Sequence, residues 1–302
     1  MPSSPSLPVG TQVVLRAAID GAHRGATGRI SAAAGTGYEV TLSDGRTLRA
    51  ERAQLALRKA LQQEIAFGTP QDGHQLVRDH TIYAAVVGSR AFGLSTDDSD
   101  TDTRGVFVAP TDAFWRLAKP PSHVDGPAHE QFSWEVERFC ELALKANPNL
   151  LEVLHSPLVV TCTELGTELV DLRGAFCSQL VYQTYNGYVL SQFKKLEADL
   201  RQRGEPRWKH VMHLLRLLLS ARDLLRTGSL TLDVGPDRET LLAVRRGERD
   251  WDSVEQWRLQ LHREVDDALD RTPLPALPDV ARVTDWLYSV RRRGVPAAGR
   301  RS

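Results

Sequence analysis

Val86-Val-Gly88-Ser89-Arg90-Ala-Phe-Gly93-Leu-Ser-Thr-Asp97-Asp98-Ser-Asp100-Thr-Asp102-Thr-Arg104-Gly105-Val-Phe-Val108 is the stretch on which the reading of this chain turns. An apolar run ends in Gly-Ser, a glycine-containing segment follows, and two aspartates one residue apart open a second apolar run. The pattern predicts a strand, a Gly-Ser turn, a short helix, and a second strand that begins with Asp100 and Asp102. Residues two apart on a strand point to the same face, so these two carboxylates would sit side by side. Adjacent carboxylates repel unless a cation lies between them. Mg²⁺ takes oxygen ligands and favours one or two carboxylates plus phosphate oxygens. Gly88 lets a backbone pass close to phosphates. The amides after it, the Ser89 hydroxyl and the start of the short helix would form an anion cradle. An Asp-x-Asp taken alone reads as a solvated acidic loop. The strand, the Gly-Ser, the eleven residues from Ser89 to Asp100 and the second strand together favour a phosphate-and-metal site.

Working outward, Ile82–Val87 and Gly105–Ala109 are nearly continuous apolar runs, as in strands covered on both faces. Glu130–Trp134 alternates and is a candidate third strand; Glu135–Lys145 is a helix stopped by Asn147-Pro148. Upstream, residues 1–8 are Pro/Ser-rich and read as disordered, and residues 9–58 hold short alternating segments joined by glycine turns. They suggest a small SH3-like β-barrel, serving either as a binding or as a packing module. Residues 51–66 have helical character and Gly68–Gly73 breaks it. Downstream of Thr161 the chain is mostly helical, over 163–172, 177–201, 207–226, 238–246, 253–269 and 280–293, with Leu230–Val234 as a short strand. Lys119–Pro127 reads as a loop, and the basic tail from Arg291 as frayed. The expected domains are 9–58, 59–160 and 161–294, with a basic tail at 295–302.

On the helix over 207–226, Lys209, His213, Arg216 and Ser220 fall within about 60° of one another, opposite Val211, Leu214, Leu215 and Leu218. This stripe is either a cationic face toward a triphosphate or a solvated surface. Tyr182, Tyr185 and Tyr188, at helical spacing, are either core or contacts to a base. Arg90 and Arg104 either neutralise phosphate charge or pair with Asp97 and Asp98.

The 302 residues carry 38 basic and 38 acidic side chains, which leaves no global field for a polyanion but permits a local patch. Three cysteines without metal spacing fit a reducing cytoplasm. The start of the chain has no basic segment followed by an apolar one, so no signal peptide is expected, and no apolar run is long enough for a membrane span.

Gly88-Ser89 followed by Asp100-Thr-Asp102 resembles the signature of the DNA polymerase β-like nucleotidyltransferase superfamily. The longer run to Val108 is closer still to its RNA-repair-associated, RlaP-like group. So are Phe132–Phe139 with Leu142–Leu154, Lys209–Leu217, Thr227-Gly228 and Arg245-Arg-Gly247-Glu248. The resemblance covers about residues 75–250 and not the N-terminal β unit. It implies an α+β fold: a small mixed-sheet nucleotidyltransferase core with helices, followed by a C-terminal helical domain. It implies attack of an acceptor on the α-phosphate of an NTP, ATP being the expected donor, with release of pyrophosphate. Asp100 and Asp102 would bind two Mg²⁺ or Mn²⁺ ions. By its place before Phe132, Glu130 would supply the family's third carboxylate, where many relatives carry Asp. Gly88 and Ser89 would grip the β- and γ-phosphates. The acceptor implied is an RNA or tRNA end. A protein acceptor taking AMP, or a non-catalytic nucleotide- or RNA-binding module, are the alternatives. The sequence leaves the preferred base and the oligomeric state open.

Overall fold

The structure is a computed structural model that describes residues 7–34, 37–58, 70–97, 99–204 and 206–295. Its contacts divide the chain into two units, residues 1–70 with 114–120, and residues 71–113 with 121–302.

In the first unit, β1 (Gln12–Leu15), β2 (Thr27–Ala34), β3 (Gly37–Leu42), β4 (Thr47–Glu51) and β5 (Leu55–Leu57) pair antiparallel in the order β4-β3-β2-β1-β5. Alternation sets the buried face. Tyr38, Val40 and Leu42 of β3 and Leu48 and Ala50 of β4 point into a core that includes Val13, Leu15, Ile30 and Leu55. Gly45, at φ +86°, turns the β3–β4 hairpin as expected. Three expectations differ from the structure. Among the described residues no pairing joins β4 to β5, so the SH3-like barrel is not confirmed as a closed one. Leu7, within the segment read as disordered, is buried, and its amide donates to the Tyr38 hydroxyl. Residues 51–57, read as helical, form the end of β4, a 3₁₀ turn and β5; the rest of that expected helix, 59–66, lies outside the described residues.

The second unit opens with α1 (Pro70–His80), where the sequence reading saw only a helix-breaking segment. Its sheet has β6 (Thr81–Val87), β7 (Asp102–Phe107), β8 (His123–Asp125), β9 (Gln131–Glu135) and β10 (Val159–Cys162) in the order β10-β6-β7-β9-β8. Only β7 and β9 run parallel. β8 falls in the segment expected to be a loop. Two short helices follow β9, α2 (Val136–Ala143) and α3 (Pro148–His155), the latter with Asn147 capping its first turn. Beyond β10 come α4 (Glu164–Asp171), α5 (Arg173–Phe176), α6 (Leu180–Arg203), α7 (Trp208–Thr227), α8 (Arg238–Arg245), α9 (Trp251–Leu269) and α10 (Val280–Arg293). Leu230–Val234 is not a strand, although Leu230 and Leu232 are buried. α10 has the bounds expected of the helix over 280–293, so Arg291–Arg293, also read as the start of a frayed tail, are helical; residues 296–302 lie outside the described residues.

One hydrophobic cluster runs from Ile82, Tyr83 and Val106 of the sheet through Leu150 and Leu154 of α3 to Leu214, Leu218 and Leu225 of α7 and Val265 of α9. Sheet and C-terminal helices thus share a core. α7 lies at its centre, with Val211, Leu215, Arg216, Leu219, Ser220 and Ala221 all buried. Of its Lys209–Ser220 stripe, Arg216 and Ser220 are therefore core, His213 is half-buried and Lys209 is exposed.

Candidate active site

The site begins where β6 ends. Val87 stands opposite Asp102 in the β6–β7 register, and Gly88 then turns the chain at φ +73°. A Cβ there would lie 3.1 Å from Asp102 Oδ2, so glycine is what lets this turn pass the carboxylate. The Phe92 amide donates to the Gly88 carbonyl (3.1 Å) and the Leu94 amide to the Ser89 carbonyl (2.8 Å). The segment is a compact turn and not the short helix expected, so no helix N-terminus assists an anion here. What remains for that purpose is the Ser89 hydroxyl and the amides of Ser89, Arg90 and Ala91. Among the described residues those amides donate to no backbone carbonyl.

Asp102 is the first residue of β7, and exposed Asp100 precedes it. Both line one cavity of about 790 Å³, with Gly88, Ser89 and Arg104. Arg104 Nη2 lies 3.2 Å from Asp102 Oδ1, while its Nη1 donates to the carbonyls of Thr103 and Glu130. Its carboxylate partner is Asp102, not Asp97, and Asp98 lies outside the described residues. Arg90 points elsewhere. Its guanidinium donates to the carbonyls of Ser99 (2.9 Å) and Asp100 (3.4 Å), and it is not part of the lining. It pins the Gly-Ser turn to the aspartate loop.

Glu130 is held outside this wall. Thr103 pairs with Gln131, which sets Glu130 level with Asp102, but Glu130 has φ +53° and interrupts the strand's alternation. Its half-exposed carboxylate lies 3.9 Å from His129 Nε2, and Phe132 and Trp134 face the cavity from β9 instead. Among the described residues no three His, Cys, Asp or Glu side chains gather closely enough to hold a metal ion together. Asp100 and Asp102 remain suited to a hard cation. They are oxygen donors open to solvent, and such an ion needs only one or two carboxylates when phosphates and waters complete its shell.

α7 brings Lys209, His213 and Arg216 to the same cavity, with Met212 between them. They are not a uniform cationic stripe. Burial, then the positive charge of Arg216 and His210, lowers the His213 pKa to about 3, so its imidazole is neutral at ordinary pH. Arg216 is fully buried. Its guanidinium lies 3.8 Å over the Phe92 ring, and Nη2 is 2.8 Å from Glu152 Oε1 on α3. That contact lacks hydrogen-bond alignment: Arg216 Nε, Nη1 and Nη2 and Glu152 Oε1 are all without a hydrogen-bond partner.

The tyrosines of α6 stay away. Tyr185 is core, Tyr182 donates to Asp266 Oδ1 (2.9 Å), Tyr188 is exposed, and none lines the cavity. Sequence reasoning missed Glu152 and Arg245, both in the lining. Glu152 did carry a signal. It is a carboxylate inside Leu150-Leu-Glu-Val-Leu154, as Arg216 is a cation inside Leu214-Leu-Arg-Leu-Leu218. A charge embedded in an apolar run must be buried with a partner or a ligand.

The 88–94 turn is also clamped from the C-terminal side. The Val234 amide donates to the Phe92 carbonyl (3.2 Å), Arg238 Nε to the Gly93 carbonyl (2.8 Å) and Arg245 Nη1 to the Leu94 carbonyl (3.3 Å). Three successive carbonyls of the Gly-Ser turn are thus held by one segment of the helical half.

Residues 57–289 match the model of a family described as the RNA repair pathway DNA polymerase beta family, RlaP. The chain belongs to the RlaP family. That match takes in both walls of the cavity, from the Gly-Ser turn to Arg245. A relative, the "Uncharacterized protein YcgL" of Bacillus subtilis (strain 168), is 26% identical over 152 residues, which is 49% of this chain and 58% of that protein. The shared stretch thus spans little more than half of YcgL. The family's description places RlaP proteins in an RNA repair pathway and within the DNA polymerase beta family. Among the described residues, no helix is long and apolar enough to cross a membrane.

Proposed function

We propose that the chain transfers a nucleoside monophosphate from an NTP to the end of an RNA or tRNA, releasing pyrophosphate, in a metal-dependent reaction. The observation that carries this reading is one cavity. In it Gly88-Ser89, Asp100 and Asp102, from two strands and their turns, face Lys209 of α7 and Arg245 of α8. An anion cradle, a carboxylate pair and two cations on opposite walls are what a metal-bound triphosphate requires.

In this reading Asp100 and Asp102 hold Mg²⁺ or Mn²⁺, and Glu130 joins them only by turning from His129. When bound, such ions supply charge stabilisation at the attacking and leaving oxygens. The chain's own residues do the positioning. Ser89 and the turn amides hold the β- and γ-phosphates, and Lys209 and Arg245 neutralise them from the facing wall. Arg104 holds Asp102 in place before metal and substrate arrive. The RNA acceptor follows the family description.

The test is incubation with NTPs labelled at the α-phosphate, with total RNA and separately with total protein, in Mg²⁺ or Mn²⁺. Label entering RNA is the expected result. Label entering protein alone would replace the acceptor, and no label with any NTP would reduce the chain to a binding module.

A further inference from the structure

The buried pair of Glu152 and Arg216 forms part of the cavity wall and is not explained by phosphate binding. Arg216 is fully buried, yet three of its nitrogens lack a hydrogen-bond partner, and so does Glu152 Oε1 at 5% residue exposure. A buried polar group left unpaired costs about 1–3 kcal/mol, and more when charged. Nη2 and Oε1 at least face each other at 2.8 Å, but Nε and Nη1 have no counterpart, and two such donors beside a misaligned pair call for an occupant. The charge of the pair restricts what that occupant is. A guanidinium and a carboxylate together carry no net charge, so a phosphate drawn to Arg216 is repelled by Glu152. A neutral group that both accepts and donates satisfies both. Phe92, Phe132 and Trp134 line the same cavity and offer apolar faces for a flat ring. Phe92 is already stacked against Arg216.

We propose that Glu152 and Arg216 read the nucleobase of the incoming NTP. They would accept an edge with two neighbouring acceptors followed by an N–H donor. The guanidinium fork offers adjacent donors and matches two adjacent acceptors, as in its pairing with guanine O6 and N7. The carboxylate, which only accepts, takes the neighbouring N–H. Guanine presents this order as N7, O6, N1–H, and cytosine presents it as O2, N3, N4–H. Adenine and uracil present acceptor, donor, acceptor, so on them the fork would face a donor. Arg216 therefore serves the base and not the triphosphate, and the ATP expected from the sequence is disfavoured as donor. This inference rests on the nucleotidyltransferase reading of the same cavity.

The test is calorimetric titration of the full chain with GTP, CTP, ATP, UTP and inorganic tripolyphosphate, each with Mg²⁺. GTP or CTP should bind about tenfold or more tightly than ATP and UTP, and whichever of the two leads identifies the base. In Glu152→Gln, which keeps the shape but offers a donor beside the acceptor, the preference should fall to about threefold or less, with tripolyphosphate binding unchanged. Should that variant not fold, the ranking by the unaltered protein decides alone. Equal binding of the four nucleotides, or a preference for ATP or UTP, overturns the base reading and leaves the nucleotidyltransferase reading standing. Failure of every triphosphate to bind overturns both.

Discussion

Gly88 sits where backbone and chemistry meet. Its φ of +73° strains any side chain placed there, and a Cβ only 3.1 Å from Asp102 Oδ2 would push on that carboxylate. Gly88→Ala should cost about 1–2 kcal/mol from the left-handed backbone. It should cut turnover further, by roughly a hundredfold, because it displaces a carboxylate at the reacting centre. Urea unfolding and turnover measured on one preparation check this, and near-normal turnover would contradict it. His213 gives a second prediction at this scale. Its folded pKa of about 3 lies below the usual 6.5, so between these values the unfolded chain binds the extra proton. Its contribution to stability is present above pH 6.5 and is lost as pH falls toward 3. His155 and His262, also lowered mainly by burial, act in the same direction. His213→Gln should flatten the pH dependence of unfolding in that window, and an unchanged slope would refute it. Asp100 and Asp102 were singled out by their spacing together with the Gly-Ser turn and the two flanking apolar runs, and both line the cavity, although only Asp102 lies on the strand. The isolation of Glu130 was not readable, because it depends on one residue at φ +53°, which strand periodicity does not foresee.

At the scale of elements, what was legible followed from length. β6 is an apolar run of the kind a central strand explains, β7 ends in one from Gly105, and α7 and α9 are long enough for period 3.6 to show. β8 and β10 have three and four residues, most of them exposed, and carry almost no pattern. α1 was hidden because Pro70 and Gly73 read as breakers, yet proline is tolerated in the first helical turn. A Cβ at Gly73 would lie 3.3 Å from Val124, so the absence of a side chain serves packing. Residues 51–57 looked helical because Leu55 and Leu57 were counted with leucines further on; their spacing of two is that of β5. The clamp on the Gly-Ser turn also belongs to this scale. Arg238→Ala removes the donor to the Gly93 carbonyl. A hydrogen bond of about 1 kcal/mol corresponds to roughly a fivefold effect. We expect faster hydrogen exchange of the amides in 88–94, and a fall in kcat/KM of about that size. Unchanged exchange in the turn would show that it is rigid without the helical half.

At the scale of the second unit, the sheet and the last helix are joined through a buried ion pair. Glu135 ends β9 and caps α2 through the Glu137 amide. Arg291 of α10 reaches it with two nitrogens, at 2.8 and 2.9 Å, and the Thr111 hydroxyl donates to the Arg291 carbonyl. Sequence reasoning placed Arg291 at the end of the helix over 280–293 and at the start of a basic tail, and nothing local distinguishes it from Arg292. Its partner lies 156 residues away. Arg291→Ala would leave the Glu135 carboxylate buried without its partner, at a cost of about 3–5 kcal/mol. Replacing both, with Glu135→Gln and Arg291→Met, should recover much of that loss. Urea unfolding of the single and double variants checks the pair, and a loss below about 1 kcal/mol would place it among surface pairs.

The shared core makes the cavity one structure, and the central claim is that its two aspartates drive nucleotidyl transfer. The most direct measurement is pyrophosphate release with RNA, NTP and Mg²⁺, by the unaltered chain and by Asp100→Asn/Asp102→Asn. Both aspartates lie at the cavity surface and not in the core, so the double variant should keep its unfolding midpoint. The account predicts release matched by label entering RNA in the unaltered chain, and its loss in the folded variant. Equal release by both proteins would contradict it.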